Sequence, residues 1–250
     1  LLLRLIEINT FQCRIVGNTI KVNNKQREIF SYFESTGNFM TEFWELSFRD
    51  KKTMWGFEPA DSAIVTLNLF KENGLNKILI PGFGYGRNAK IFTDAGFKVT
   101  GIEISETAID LARKHYGNDV RIHLGSVSAM PFDQELYDGI FCYALIHLLN
   151  EKERIKLIND CYHQLKPNGY MVFVAISKND AAYGNGEKLS KDRFETKHGV
   201  QLFFYDSDSV EEEFGKYGIV EFKEIDEPAK NMENKRSQKF WIITCKKQAK

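Results

Sequence analysis

A chain of 250 residues with 34 basic and 34 acidic side chains has room for one large α/β domain and too little for two of ordinary size. The even charge balance supplies no basic field of the kind that gathers nucleic acid, and no apolar run is long enough to span a membrane. Cys13, Cys142, Cys161 and Cys245 are spaced neither as a metal site nor as a redox pair. Cys142 and Cys245 fall in predicted strands, where buried reduced thiols are expected. Leu1 to Ile6 is too short for the apolar region of a signal peptide, so the chain reads as cytoplasmic.

In chain order, residues 1–25 fit no larger pattern, although Thr10 to Val22 alternates loosely like a short strand. They are left unassigned, and residues 26–250 are read as one domain. Residues 30–72 carry Phe43-Trp44, then Thr53-Met-Trp-Gly-Phe57, then a helix opened by Glu58-Pro59 that runs toward Asn73. A strand from Lys77 leads into Pro81-Gly82-Phe83-Gly84-Tyr85-Gly86-Arg87-Asn88, with a helical pattern directly after. Phe97 to Glu103 alternates like a half-buried strand. Ser105 caps the next helix and Gly117 stops it. Val120 to Leu124 and Tyr137 to Tyr143 read as the third and fourth strands. Asn150 with Glu153 opens a long helix as a capping box, and that helix ends at Leu165-Lys-Pro-Asn-Gly169 before an apolar strand from Tyr170 to Ile176. Ser177 to Gly186 is glycine-rich and expected to be mobile, and Leu202-Phe-Phe-Tyr205 returns apolar surface to the same end. Asp133, Asp138 and Glu211-Glu-Glu213 read as turn or solvated acids. Ile219 to Ile225 and Phe240 to Cys245 are the last strands, joined by a charged loop.

Strands alternating with helices predict a doubly wound, mostly parallel sheet whose ligands bind beyond the carboxyl ends of the strands. That rule gathers Gly82 to Gly86, Glu103, Ser126 and Tyr143 around one crevice. Glycines let the backbone approach a ligand closely, a helix start offers unpaired N–H groups, and an acid at a strand tip can accept ribose hydroxyl protons. An adenosine-containing cofactor is the expected ligand.

The spacing Gly82-x-Gly84-x-Gly86 departs from the dinucleotide fingerprint, which would want glycine at Arg87. With Gly125…Met130-Pro-Phe132, Tyr137-Asp138 and Leu165-Lys166-Pro167-x-Gly169, it resembles the class I S-adenosylmethionine-dependent methyltransferases. Pro81-Gly82 and Gly86-Arg87-Asn88 look most like the thiopurine- and tellurite-type small-molecule branch. The resemblance implies a Rossmann-like sheet of seven strands, mostly parallel with an antiparallel C-terminal hairpin strand. It also implies S-adenosyl-L-methionine as cofactor and a small-molecule methyl acceptor, with neither nucleic acid nor membrane as partner. The cofactor-binding residues it implies are Trp55, Gly82, Phe83, Gly84, Asn88, Glu103, Ile104, Ser126, Val127 and Tyr143. Glu103 would hold the ribose, Asn88 in preference to Arg87 the methionine carboxylate, Phe83 the methionine chain and Ile104 the adenine. Residues of about 30–72, with Trp44 and Trp55, would form a lid.

Two positions depart from the family pattern: Ile80, where most members carry an acid, and Ser126, where many carry an acid that meets the adenine amino group. Tyr143 and His147 are the candidate catalytic side chains, with a helix-packing role for His147 as the alternative. Direct methyl displacement relies on positioning and desolvation, and demands neither a metal nor a catalytic triad. Two rivals stay open: a nicotinamide-dependent oxidoreductase or epimerase on the same fold, and a non-catalytic S-adenosylmethionine-binding module.

Overall fold

Near-continuous apolar strands need cover on both faces, and the alternation of strands with amphipathic helices supplies it. The computed structural model describes residues 15–16, 19–20, 38–117, 120–197, 199–228 and 237–249. Cys13, most of the N-terminal extension, the start of the expected lid and the centre of the C-terminal loop lie outside the described residues. Two short strands, β1 (Ile15–Val16) and β2 (Thr19–Ile20), pair antiparallel. Helices α1 (Asn38–Lys51) and α2 (Asp61–Glu72) precede the sheet. Then follow β3 (Lys77–Pro81), α3 (Ala89–Asp94), β4 (Lys98–Glu103), α4 (Glu106–Tyr116), β5 (Arg121–Leu124), β6 (Tyr137–Tyr143), α5 (Glu151–Gln164) and β7 (Leu165–Ile176). After β8 (Glu187–Ser190), β9 (Arg193–Glu195), β10 (Gln201–Phe203) and α6 (Ser207–Phe214), the chain ends with β11 (Ile219–Glu227) and β12 (Gln238–Lys246).

The main sheet has the order β11-β12-β7-β6-β3-β4-β5, and β12 runs antiparallel to both its neighbours while the other pairings are parallel. This is the seven-stranded, mostly parallel sheet with a C-terminal antiparallel strand that the sequence predicts. Each strand sorts its side chains by alternation. From β7, Met171, Phe173 and Ala175 join Leu157 and Ile158 of α5 on one face. Val172, Val174 and Ile176 join Phe70 of α2 and Phe92 of α3 on the other. The foreseen caps are present: Ser105 accepts from the Ala108 N–H, and Asn150 and Glu153 form a reciprocal capping box. Cys142, Cys161 and Cys245 are free and buried.

Three expectations need correction. β7 begins at Leu165, because Leu165 already pairs with Tyr137 before the register shifts ahead of Gly139. β8, β9 and β10 form a separate three-stranded antiparallel sheet after the Ser177–Gly186 stretch, where the sequence predicts no strand. All four residues of β8 are exposed, so no alternation marks it in the sequence. This small sheet is fastened by Lys178, which pairs with Asp192 at 2.7 Å and with Asp206. Burial opposes the Lys178 charge, but the two aspartates prevail and hold its pKa up at about 12.

Glu213, expected to be a solvated acid, is instead buried against Arg154. It accepts from Arg154 Nη2 at 2.8 Å and Nε at 2.9 Å, and from the Tyr205 hydroxyl at 2.7 Å. The guanidinium also lies 3.8 Å from the ring centre of Phe203, so α5, α6 and β10 meet at one ion pair. Breaking one side of such a pair strands a buried charge. Arg154→Met should therefore lower stability by about 3–5 kcal/mol. Denaturant titration checks this, and the double variant with Glu213→Met should recover most of the loss.

Candidate active site

β3, β4 and β6 finish at one edge of the sheet, and the chain passes from one side of β3 to the other there. Open α/β sheets bind their ligands at such a switch point. The glycine turn leaves β3 with Gly82 at φ +71°, where a Cβ would come within 3.0 Å of Leu145 Cδ2. Leu145, just beyond β6, thus crosses directly over the turn. Gly84, at φ +58°, aims its N–H at Glu103 Oε2, 2.6 Å away. Both conformations suit glycine and strain any other residue.

Glu103 closes β4 with only 6% of its surface exposed. Its Oε1 accepts from the Ile104 N–H at 2.8 Å and from the Ser105 N–H at 2.9 Å. Burial pushes its carboxyl above the ordinary range, against the three backbone bonds, and the nearby Glu45 charge adds to the rise. A carboxylate has about four acceptor sites, so three N–H bonds leave capacity for a further donor.

Residues of α1 and the turn after it pack against the glycine turn and α4, while α2 packs Phe70 on the face of the sheet. From α1, Glu45 accepts from Ser105 Oγ at 2.6 Å, from the Thr107 N–H at 3.3 Å and from the Thr107 hydroxyl. It therefore serves the N-terminus of α4 alongside Ser105. Trp44, Phe48, Trp55 and Tyr85 pack ring to ring, with Trp55 and Tyr85 nearly parallel at 6.1 Å. Tyr85, inside the glycine turn, donates to the Gly56 carbonyl at 2.6 Å and accepts from the Trp55 N–H at 3.2 Å. The reading of the sequence passed over Tyr85, Glu45 and Leu145. An aromatic between two of the three glycines was the one available signal.

Other residues sit differently from their expected roles. Phe83 turns away into the core over Gly101, where a Cβ would lie 2.4 Å from its ring. Asn88 gives its side-chain oxygen to the Ala60 N–H at 2.9 Å, fastening α2 rather than facing the turn. Ser126 caps a short turn by accepting from the Ser128 N–H, with Val127 buried beside it. Ile104 is half-buried next to Glu103. His147 is buried, accepts the Ile176 N–H on Nδ1 and packs near Phe240; burial pushes its pKa down to about 3. A histidine so held stays neutral and is placed as a core residue, the alternative weighed above. Tyr143 lies under Arg87, whose guanidinium is 5.7 Å from its ring centre. Burial, followed by the Glu227 charge, raises the Tyr143 hydroxyl well above its usual range.

A glycine turn, a buried acid on the neighbouring strand tip and packed aromatic rings thus meet at the switch point of a Rossmann-like sheet. Comparison with known proteins narrows the class. A methyltransferase-domain family matches residues 79–173. Thiocyanate methyltransferase 1 of Brassica oleracea is 26% identical over 156 residues, 61% of this chain and 69% of that protein. A ubiquinone biosynthesis O-methyltransferase of Nitrosospira multiformis is 27% identical over 110 residues, 42% of this chain and 45% of that protein. The fold matches Burkholderia thailandensis 1,6-didemethyltoxoflavin-N1-methyltransferase, solved with S-adenosylhomocysteine, at a TM-score of 0.62 and 15% identity over 94% of both chains. It also matches TehB of Haemophilus influenzae at 0.58 and 20% identity, over 82% of this chain and 67% of that one.

The chain is an S-adenosylmethionine-dependent methyltransferase. Its residues fit that cofactor: Glu103 keeps an acceptor site for a hydroxyl, and a Cβ built on Gly84 would have only Phe48, 4.0 Å away, within reach.

Glu45 gives the cover a pH dependence. Burial raises its pKa, but the Ser105 and Thr107 bonds outweigh burial and hold it below the ordinary value. A depressed carboxyl stabilises the docked state at pH above its undocked pKa, and that contribution is lost as pH falls through the docked one. Fluorescence of Trp44 and Trp55 should therefore change with a midpoint below the normal glutamate range. In Glu45→Gln that step should vanish.

Proposed function

We propose that this enzyme transfers a methyl group to a heteroatom of a small molecule by direct displacement, with residues 26–250 acting as one domain and residues of about 30–72 as its lid. The carrying observation is the buried Glu103 carboxylate, tied to Gly84 across the mouth of the crevice and able to accept one more donor. Glu103 takes the ribose hydroxyls, and the turn from Gly82 to Gly84 gives the backbone its close approach. Val127 and Ile104 supply apolar walls for the adenine, with Ser126 at its edge. Trp55 and Tyr143 flank the methyl-donating end. Bound S-adenosylmethionine supplies an electrophilic sulfonium methyl; the chain's own part is to align an acceptor and exclude water.

Three features support a small acceptor. Trp44 packs on Trp55, and Trp55 on Tyr85 of the glycine turn, at one side of the crevice. The sheet of β8 to β10 packs beside the turn after β6, where the Arg193 guanidinium donates to the Leu149 carbonyl. The balanced charge offers no field for a polyanion. Thiocyanate and 1,6-didemethyltoxoflavin are named for proteins similar to this one, and both are small. Among the described residues no helix is long and apolar enough to cross a membrane, in keeping with a cytoplasmic enzyme.

Calorimetric titration with S-adenosylmethionine tests the site. Wild type should bind saturably, and Glu103→Ala should weaken binding by about one to two orders of magnitude, the worth of charge-assisted hydrogen bonds. Equal affinity in the variant would remove Glu103 from the site.

A further inference from the structure

Helix α1 and the turn after it join neither of the two main cores. Trp44, Phe48 and Met54 form a small cluster of their own with Tyr85, Ala108 and Leu111. Satellite packing of this kind opens locally at lower cost than a core does. The turn after α1 lies between two residues of positive φ, Lys52 at +51° and Gly56 at +75°. A lysine is strained in that conformation, so contacts from elsewhere must hold the turn in place.

Tyr85 is the residue of the glycine turn that enters this cluster. Its ring is 1% exposed and faces Phe48 and Trp55. A phenylalanine would pack there as well; the hydroxyl does something more. It donates to the Gly56 carbonyl at 2.6 Å and accepts from the Trp55 N–H at 3.2 Å, so one group grips two adjacent residues of the turn after α1. Burial pushes the hydroxyl pKa up, which keeps the proton it donates. The direction of Tyr85 is set in turn by its neighbours. Gly84 and Gly86 flank it at φ +58° and +85°, the first bonded to Glu103 and the second to the Phe83 carbonyl at 3.2 Å. Where the glycine turn goes, the hydroxyl follows.

We propose that Tyr85 is a positioning residue that couples cofactor occupancy of the glycine turn to docking of residues 44–56. The proposal rests on the cofactor site proposed above and adds the means by which that site controls its cover. A ligand seated against Gly82 to Gly84 selects the turn conformation that brings the Tyr85 hydroxyl to Trp55 and Gly56. A docked segment, in return, holds the turn ready for the ligand. Coupling of this kind is reciprocal: the factor by which the ligand favours docking is the factor by which docking favours the ligand. Glu45 ties the same segment to Ser105 and Thr107, outside the turn, so loss of the hydroxyl loosens the segment and leaves a second attachment in place.

Hydrogen-exchange mass spectrometry of peptides covering residues 44–56 tests this on the full chain, with and without saturating S-adenosylhomocysteine. In wild type the ligand should slow exchange there by about tenfold or more, the worth of two ordinary hydrogen bonds. Tyr85→Phe keeps the ring and deletes the hydroxyl. Exchange without ligand should then rise by about the same factor, the slowing by ligand should fall below about twofold, and S-adenosylhomocysteine affinity measured by calorimetry should drop. A merely structural anchor would speed exchange in the variant and leave the effect of the ligand undiminished. Gly56→Ala disturbs the same contact from its other partner, at a positive φ with open space around it, and should shrink the ligand effect in the same direction. Slowing retained in full by Tyr85→Phe, or by Gly56→Ala where the first variant folds poorly, would overturn the proposal. So would a wild type that binds S-adenosylhomocysteine with no change of exchange in residues 44–56. Failure of the cofactor reading appears separately, as absence of calorimetric binding to wild type.

Discussion

The Glu103 carboxylate is held by three backbone N–H groups drawn from both sides of the crevice, one from the glycine turn and two from the start of α4. Burying a charge is costly unless hydrogen bonds replace water, so those donors must be in place before the acid can sit at the strand tip. That requirement fixes much else. Gly84 has to adopt positive φ to present its N–H, and Ser105 has to start α4 there. β3 and β4 must be adjacent and in register, with Pro81 opposite Ile102.

The segment proposed as a lid is attached to the same few atoms. Glu45 binds Ser105 and Thr107, one turn from the donors that hold Glu103. Tyr85 joins the turn to Trp55 and Gly56. Asn88 holds the backbone at Ala60, and Glu227 reaches Ser62 from the far edge of the sheet. The cover is thus fastened at its acid, its aromatic turn and its second helix, each time through a polar contact to an element of the crevice. Apolar packing alone would leave its register free; directional bonds at several points fix it.

The fold was legible because its signals are local and strong. Periodicity marked every strand of the main sheet, and the caps at Ser105 and Asn150 formed as their residue types dictate. The glycine turn and Glu103 were legible because few other jobs need those residue types in that order. What escaped depends on partners distant in sequence. Glu213 reads as one of three surface acids until Arg154, 59 residues away, arrives beside it. β8 has no buried face to announce it. Phe83 and Asn88 sit in the motif but point elsewhere, because spacing locates a backbone and leaves open where a side chain turns. Asp138 reads as a turn acid, yet it accepts the Asn76 and Lys77 N–H groups and the Lys166 ammonium, so it ties together the starts of β3 and β7.

The two departures from the family pattern carry different weight. Ile80 is buried in the core on the face shared with Phe70 and Phe92, so an acid there would have no donors around it. An isoleucine at that point strengthens the core where Glu103 already anchors the turn, and its presence takes nothing from the crevice. Ser126 has its side chain committed to the Ser128 N–H, so in the proposed site it reaches an adenine amino group only by giving up a turn bond. Adenine recognition then falls to backbone groups and to the flanking Val127 and Ile104. Apolar walls grip a ring but discriminate poorly between rings of similar shape. In the proposed site, specificity for the cofactor is then concentrated at the ribose end, on Glu103, the one carboxylate held by three backbone N–H groups.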